Sequence, residues 1–316
     1  MKRRENDKIG GLRRSILATI TYSDYFNFPL TRRELHTRLI GISTSQIDLI
    51  HELHQMLKSS VIGHTGNFYY LPSRRLLIRR RLKLKAVAAS QIIRARSLAT
   101  RLGKLPGVRA VYLTGSLAVE NAPIGSDIDF MIVTENGRVW TTRLLLTAYS
   151  QLFGLRRTPH SQNNAGKLCL NLFLSPVSYA LPIPRRSLYT AYELLQAVPL
   201  YDPQNTRSDL LDANSWIHDY LPNWKGTVLA SKRTLLDRRR GQRPSRDTEG
   251  RRRVLNVCAR TLESLLYNLQ LAYMRPKITR EYITGTAAFF HPRDPSKAVF
   301  KRLEIGELYN SLKIEN

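Results

Sequence analysis

Hydrophobic positions recur along this chain first with a helical period and then, from about residue 108, with a strand-like one. An opening helix is predicted near Leu12–Tyr22. Thr31-Arg32-Arg33-Glu34 has the spacing of a capping box, which predicts a helix running to about Ile40. A further helix is predicted from about Ser45 to Ser59, with Ile47, Ile50, Leu53 or His54, and Leu57 forming one apolar stripe. Two β-prone runs between Val61 and Leu71 surround a Gly/Thr/Asn turn, the pattern of a hairpin. Helix, helix, helix, hairpin is the element order of a winged helix, so residues 1–72 read as a winged-helix-like domain.

Residues 73–107 read as a long basic linker helix, ended by Pro106-Gly107. Beyond it, strands are predicted at about 109–114, 128–134 and 168–175, with helices between them. This is a small α/β (α+β) core with a mixed sheet over 108–185. After Pro182 and Pro184 the pattern is helical at about 188–197, 208–220, 251–274 and 296–312, which predicts a C-terminal helical domain over 186–316. In it, Val254, Cys258, Leu262, Leu265 and Leu269 read as a core-packing stripe. Residues 232–253, with Arg238-Arg239-Arg240, Gly241, Pro244 and Gly250, read as a basic loop or linker.

Charge adds a partner class to this picture. Among 316 residues, 50 Lys and Arg face 24 Asp and Glu, a formal excess of +26. Residues 74–104 hold 11 basic and no acidic side chains, and 232–253 hold 10 basic and 3 acidic. Such fields attract polyanions and release their counterions on contact, so nucleic acid is a candidate partner for 60–104 and 232–253. The two cysteines, Cys169 and Cys258, lack metal-ligand spacing and suit a reducing compartment. No secretory signal is read at the N-terminus, and the longest apolar stretches are broken by Arg143 and by Arg260 and Glu263, so the reading is cytoplasmic with no membrane association.

The chemistry-bearing segment is Val111-Tyr112-Leu113-Thr114-Gly115-Ser116, followed by Gly125-Ser126-Asp127-Ile128-Asp129-Phe130. A strand-to-helix turn at Gly115 brings backbone close to a ligand, and amides at a helix start favour an anion. Along the next strand, residues two apart share a face, so Asp127 and Asp129 present both carboxylates to one spot while Ile128 and Phe130 enter the core. Two carboxylates about 4 Å apart repel by roughly 4 kcal/mol at an effective dielectric near 20. A divalent cation such as Mg²⁺ removes that repulsion.

Gly-Ser followed ten residues on by Asp-x-Asp resembles the signature of the DNA polymerase β-like nucleotidyltransferase superfamily, over about residues 108–176. Within it the chain resembles nucleotidyltransferase domain-containing proteins of bacteria and archaea. That likeness takes in the segment from Tyr25 to Thr31, Asn214-Ser215-Trp216, Leu221-Pro222-Asn223 and Phe290-His291-Pro292. The resemblance implies Mg²⁺ (or Mn²⁺) at Asp127 and Asp129. It also implies an NTP held by Gly115 and Ser116, with Ser126 and Asn171 as further nucleotide contacts, and attack of a hydroxyl on the α-phosphate. Active members carry a third carboxylate on a neighbouring strand, where this chain has Asn171 in Leu168–Leu174. By alternation Leu168, Leu170, Leu172 and Leu174 would share one face, and Cys169, Asn171 and Phe173 the other. Asn171 cannot act as a general base. Three outcomes stay open: one-metal transfer, an acid from elsewhere such as Glu120 or Glu193, or nucleotide binding without catalysis. The alternative function is therefore a non-catalytic nucleotide- or nucleic-acid-binding regulator.

Weaker candidates are Lys167, Arg143 and Lys225 for the triphosphate, and His291 near the nucleotide. His51 and His54 lack zinc-protease spacing, and His160 and His218 have no evident partner.

Overall fold

Thr31 and Glu34 form the reciprocal cap that their spacing predicts. The Glu34 amide donates to the Thr31 hydroxyl at 3.3 Å, and the Thr31 amide donates to the Glu34 carboxylate at 2.9 Å. The computed structural model describes residues 2–157, 165–224, 246–278 and 281–290. Its first part comprises α1 (Lys2–Tyr25), β1 (Leu30–Thr31), α2 (Arg32–Thr37), α3 (Gln46–Lys58), β2 (Gly63–Thr65) and β3 (Phe68–Tyr70). The strands form an antiparallel sheet in the order β1-β3-β2. The buried face of α3 is Leu49, Leu53 and Met56 with Glu52, while Ile47 is 79% exposed. This corrects the predicted stripe: both sets have helical spacing, and packing against Leu12, Ile16 and Ile20 of α1 selects the second.

α4 (Leu76–Gly103) is the long basic helix. Its apolar side, including Leu84, Ala88, Ala95, Leu98, Ala99 and Leu102, is buried. Several of its charges are internal ties. Arg81 is 11% exposed, pairs with Glu34 at 2.6 Å and lies 4.0 Å and 4.9 Å from the ring centroids of Phe28 and Phe68. Arg80 reaches Asn121 at 2.9 Å, and Arg74, preceding the helix, reaches Asp24 at 2.8 Å and Asn27 at 2.8 Å. Arg75, Arg79 and Lys83, four residues apart along one side, remain exposed.

The central sheet runs β7-β4-β5-β6-β9-β8. It is built from β4 (Val108–Leu113), β5 (Ile128–Thr134), β6 (Leu168–Leu174), β7 (Val198–Tyr201), β8 (Tyr282–Ile283) and β9 (Ala287–Phe289). Among the pairings of these described strands only β5–β6 is parallel. Three strands thus come from the stretch read as helical. β7 escapes sequence detection because Val198-Pro199-Leu200-Tyr201 is short and holds a proline, which an edge strand tolerates. The predicted alternation in β6 is corrected too: Phe130 pairs with Leu170 and Met131 with Leu172, so Asn171 is a bulge residue. The bulge reverses the faces, placing Phe173 with Leu168 and Leu170 in one cluster and Leu172 with Leu174 in the other.

Short helix α5 (Gly115–Ala118) follows β4, and α6 (Val139–Leu152) follows β5. Further on are α7 (Leu188–Gln196), α8 (Thr206–Asp212), α9 (Ile217–Tyr220) and α10 (Arg246–Met274). The expected 208–220 helix is two, separated by Asn214. That residue is fully buried, and its side chain binds the Leu181 amide, the Tyr179 and Leu210 carbonyls and the Trp216 indole. α10 starts inside the segment read as a loop. The predicted stripe on α10 is corrected: Leu262, Leu265 and Leu269 are 48%, 53% and 57% exposed. Val254 of that stripe lies outside the residues whose side chains are described; among those described on α10, Glu263 is buried and accepts from the Trp140 and Thr141 amides at 2.6 Å and 2.9 Å, an acid at the N-terminus of α6. The predicted helix at 296–312 lies outside the described residues, as do His160, His291, Lys225 and 232–245.

One face of the sheet packs on α4, α6 and α10. The other joins α7 and α9 to Ala18, Tyr22 and Ile40 of the N-terminal part, with the Tyr22 and Tyr192 rings stacked 4.6 Å apart. Asn223 completes the joint, bonding Ser43, the Thr44 amide and the His36 carbonyl. Among the described residues no helix is long and apolar enough to cross a membrane. Removing a buried cation strands its carboxylate, so Arg81→Ala is expected to cost about 2–4 kcal/mol in urea denaturation. Lys83→Ala, on the exposed side of α4, should change stability by less than about 0.5 kcal/mol.

Candidate active site

β4 and β5 are zipped together at their site-bearing ends, where the Thr114 amide donates to the Asp129 carbonyl at 3.0 Å. This sets the Gly115 turn directly against the Asp129 side chain. Gly115 has φ +66°, and a Cβ there would lie 2.6 Å from Asp129 Oδ2. Glycine is required twice, by the left-handed backbone and by the neighbouring carboxylate. Ile128 and Phe130 are fully buried on the opposite face, as alternation predicts. Ligand atoms of Asp127, Asp129 and Cys169 lie within 4.8 Å of one another, so the two acids are brought together with a cysteine that its sequence spacing did not reveal. Register between parallel β5 and β6, pairing Asp129 with Cys169, supplies the third member.

Two side chains already neutralise or orient these acids. Arg157 donates to Asp127 Oδ2 at 2.7 Å, and Asn171 donates to Asp129 Oδ1. Arg157 went unnoticed in the sequence because nothing local links it to Asp127, thirty positions earlier; the isolated bridge Arg156↔Leu168 brings it there. Burial first, then the charge of Asp127, pushes the Asp129 carboxyl up to about 7, against the bonds from Asn171 and Cys169 and the charge of Arg157. Burial and the same acids push the Cys169 thiol up to about 12, so it stays protonated at neutral pH. The set fits a hard divalent cation: two oxygen donors converge at the Gly115 turn, and their unrelieved repulsion appears as the raised Asp129 carboxyl.

Gly115 and Ser116 also line a cavity of ≈ 200 Å³ together with Tyr22, Phe26, Phe28, Arg38, Tyr189, Tyr192 and Glu193. Of the two acids considered as replacements for a third carboxylate, Glu193 is the one at the site. Burial, followed by the charge of Asp129, pushes its carboxyl up to about 7. Glu120 instead pairs with Lys85 at 3.5 Å on the surface. Ser126 sits in the preceding turn, its amide bonded to the Pro123 carbonyl at 3.1 Å. Lys167 and Arg143 have partners away from the Gly115 turn. Lys167 binds the Gly154 carbonyl, and Arg143 binds Gln270 and lies 4.7 Å from the Phe290 ring centroid. His51, His54 and His218 are exposed.

Residues 95–167 match the family model of the nucleotidyltransferase domain, consistent with a member of the polymerase β-like superfamily. The match includes Gly115, Ser116, Asp127 and Asp129 and ends before Cys169 and Asn171. No curated protein and no solved structure matches the chain.

A raised Asp129 carboxyl favours the protonated fold. Its contribution is complete below the unfolded value near 3.8 and is lost as pH rises through about 7. Metal-free protein is therefore expected to lose stability between about pH 4 and 7 through this group, and Asp129→Asn should melt higher than the parent at pH 8 in calorimetry. Divalent-ion affinity, measured by titration calorimetry, should rise with pH up to about 7 and then level off, because metal and proton compete for one carboxylate. Gly115→Ala should cost more than about 1 kcal/mol and weaken divalent-ion affinity in the same titration at least tenfold, since the methyl group displaces Asp129 Oδ2.

Proposed function

We propose that this chain, which carries a nucleotidyltransferase domain, moves a nucleoside monophosphate from an NTP to a hydroxyl acceptor with Mg²⁺ (or Mn²⁺) held by Asp127 and Asp129. The observation that carries the reading is the pair of convergent carboxylates packed against a turn that only glycine can make. A bound divalent cation would offset the carboxylate repulsion and polarise phosphoryl oxygens.

The remaining tasks fall to this chain's own groups. The turn at Gly115 and Ser116 holds the triphosphate, with Ser126 beside it. Asn171 keeps Asp129 oriented through its amide. Arg157, 48% exposed, can release Asp127 and take a phosphate oxygen. Glu193, with a carboxyl near neutrality, accepts the acceptor's proton. The acceptor oxygen bonds to the α-phosphorus, the bond from that phosphorus to the bridging oxygen breaks, and its electron pair leaves with pyrophosphate.

A second reading is favoured by Asn171 at the expected acid position and by Arg157 already paired with Asp127: a nucleotide-responsive regulator without turnover. The order α1, β1, α2, α3, β2, β3 supports a winged-helix domain, and the exposed row Arg75, Arg79 and Lys83 supports contact with a polyanion. Replacing that row with alanine should reduce the slope of log affinity for duplex DNA against log salt by about 2–3, read by fluorescence anisotropy.

Each α-labelled NTP, with Mg²⁺ or Mn²⁺ and with RNA, DNA or small alcohols as acceptors, tests transfer. Asp127→Ala with Asp129→Ala is expected to abolish it, and Glu193→Gln to lower kcat roughly 10²–10⁴-fold with little change in KM for the NTP. Transfer unaffected by the double substitution overturns the proposal. NTP-dependent thermal stabilisation with no transfer selects the regulator.

A further inference from the structure

The cavity beside Gly115 has three walls from distant parts of the chain. α1 and the segment after it contribute Tyr22, Ser23, Phe26 and Phe28, the α5 turn contributes Gly115 and Ser116, and α7 contributes Tyr189, Tyr192 and Glu193. Five of these residues are aromatic, and Tyr22 and Tyr192 are locked by stacking 4.6 Å apart. At ≈ 200 Å³ the space suits one substituted ring and is too small for a polymer segment.

One cationic group also lines this cavity, across from the Glu193 carboxyl. Arg38, at the C-terminus of α2, has a side chain 12% exposed and makes no side-chain hydrogen bond among the described residues. Its nearest carboxylate is Glu34 at 4.0 Å. That acid already receives Arg81 at 2.6 Å and both the amide and the hydroxyl of Thr31. The Arg38 guanidinium lies 5.1 Å from the Phe28 ring centroid, with Arg81 as a second cation near the same ring. A guanidinium has five donors, and those of Arg38 are not sealed off without partners but reach the solvent that the cavity admits. An anion entering the cavity would replace that water with a charge-assisted hydrogen bond.

We infer that this cavity binds a small planar molecule carrying one anionic group, carboxylate or phosphate, with the anion on Arg38 and the ring among Phe26, Phe28, Tyr189 and Tyr192. On the transferase reading, and resting on it only in this respect, the molecule is the acceptor, its hydroxyl directed to Glu193 and the Gly115 turn. The pairing is complementary. Arg38 fixes the charged end, and the aromatic walls fix the plane.

Isothermal titration calorimetry without nucleotide compares 4-(hydroxymethyl)benzoate with 4-methylbenzyl alcohol, which has the same ring and alcohol but no charge. The native chain is expected to bind the benzoate at least tenfold more tightly than the neutral alcohol. Arg38→Gln should bring the two within about twofold, and Arg38→Lys should restore part of the preference. Gln196, the last residue of α7, also lines the cavity; Gln196→Trp, which fills part of the space and leaves Arg38 untouched, should abolish binding of both probes without lowering the melting temperature. No binding by the native chain, equal affinity for both probes, or a preference that survives Arg38→Gln overturns the inference. So does displacement of the benzoate by metal-free NTPs, which would make the cavity part of the nucleotide site. The Asp127→Ala, Asp129→Ala chain should still bind the benzoate, so loss of transfer and failure of this inference are read separately.

Discussion

Two carboxylates held at the same end of a buried strand constrain everything around them. Ile128 and Phe130 anchor β5 in the core, so Asp127 and Asp129 cannot turn away from each other without unpacking the sheet. The surroundings respond to that fixed repulsion. Arg157 lies on Asp127, Asn171 donates to Asp129, and the Asp129 carboxyl takes up a proton far above its ordinary range. The turn at residue 115 has no side chain because Asp129 occupies the space. Electrostatic strain of this kind costs stability in the free chain and becomes affinity when a cation binds.

The N-terminal part is built into this site. Tyr22 and Ile40 share a cluster with Tyr192 and Leu195 of α7, and Asn223 bonds three groups in the α2–α3 region. Arg74, Arg80 and Arg81 are drawn inward to Asp24, Asn121 and Glu34. Part of the basic excess near α4 therefore holds the two parts together, and only the outward-facing remainder is free for a polyanion. Charge counts along a sequence cannot separate these uses, because Arg79 and Arg81 are alike in composition and differ in which side of the helix they occupy.

The residues of the site were legible to different degrees, and the difference follows distance along the chain. Gly115, Ser116, Asp127 and Asp129 belong to two adjacent elements with short-range signals, a strand-ending glycine and a period-two pair. The capping box at Thr31 and the limits of β5 were equally readable, since each rests on contacts within a few residues. The facing of β6 was misread because a bulge at Asn171 shifts alternation without any glycine or proline to mark it. The stripes on α3 and α10 were misread because each helix offers more than one apolar row, and only the packed partner selects one. For α10 the selected face is centred on a glutamate that caps α6, which no hydrophobic pattern would nominate.

By itself, then, the sequence determined the local chemistry: a glycine turn, two acids on one strand face, a capped helix and a basic amphipathic helix. Each follows from backbone geometry that repeats every two or 3.6 residues. Only the tertiary structure decided which groups complete the site. Cys169 arrives through parallel pairing of β5 with β6, Arg157 through the separate bridge between Arg156 and Leu168, and Glu193 and Arg38 through the packing of α7 and α2 around one cavity. Long-range placement of this kind depends on which apolar faces bury one another, and that choice is made by the whole core at once.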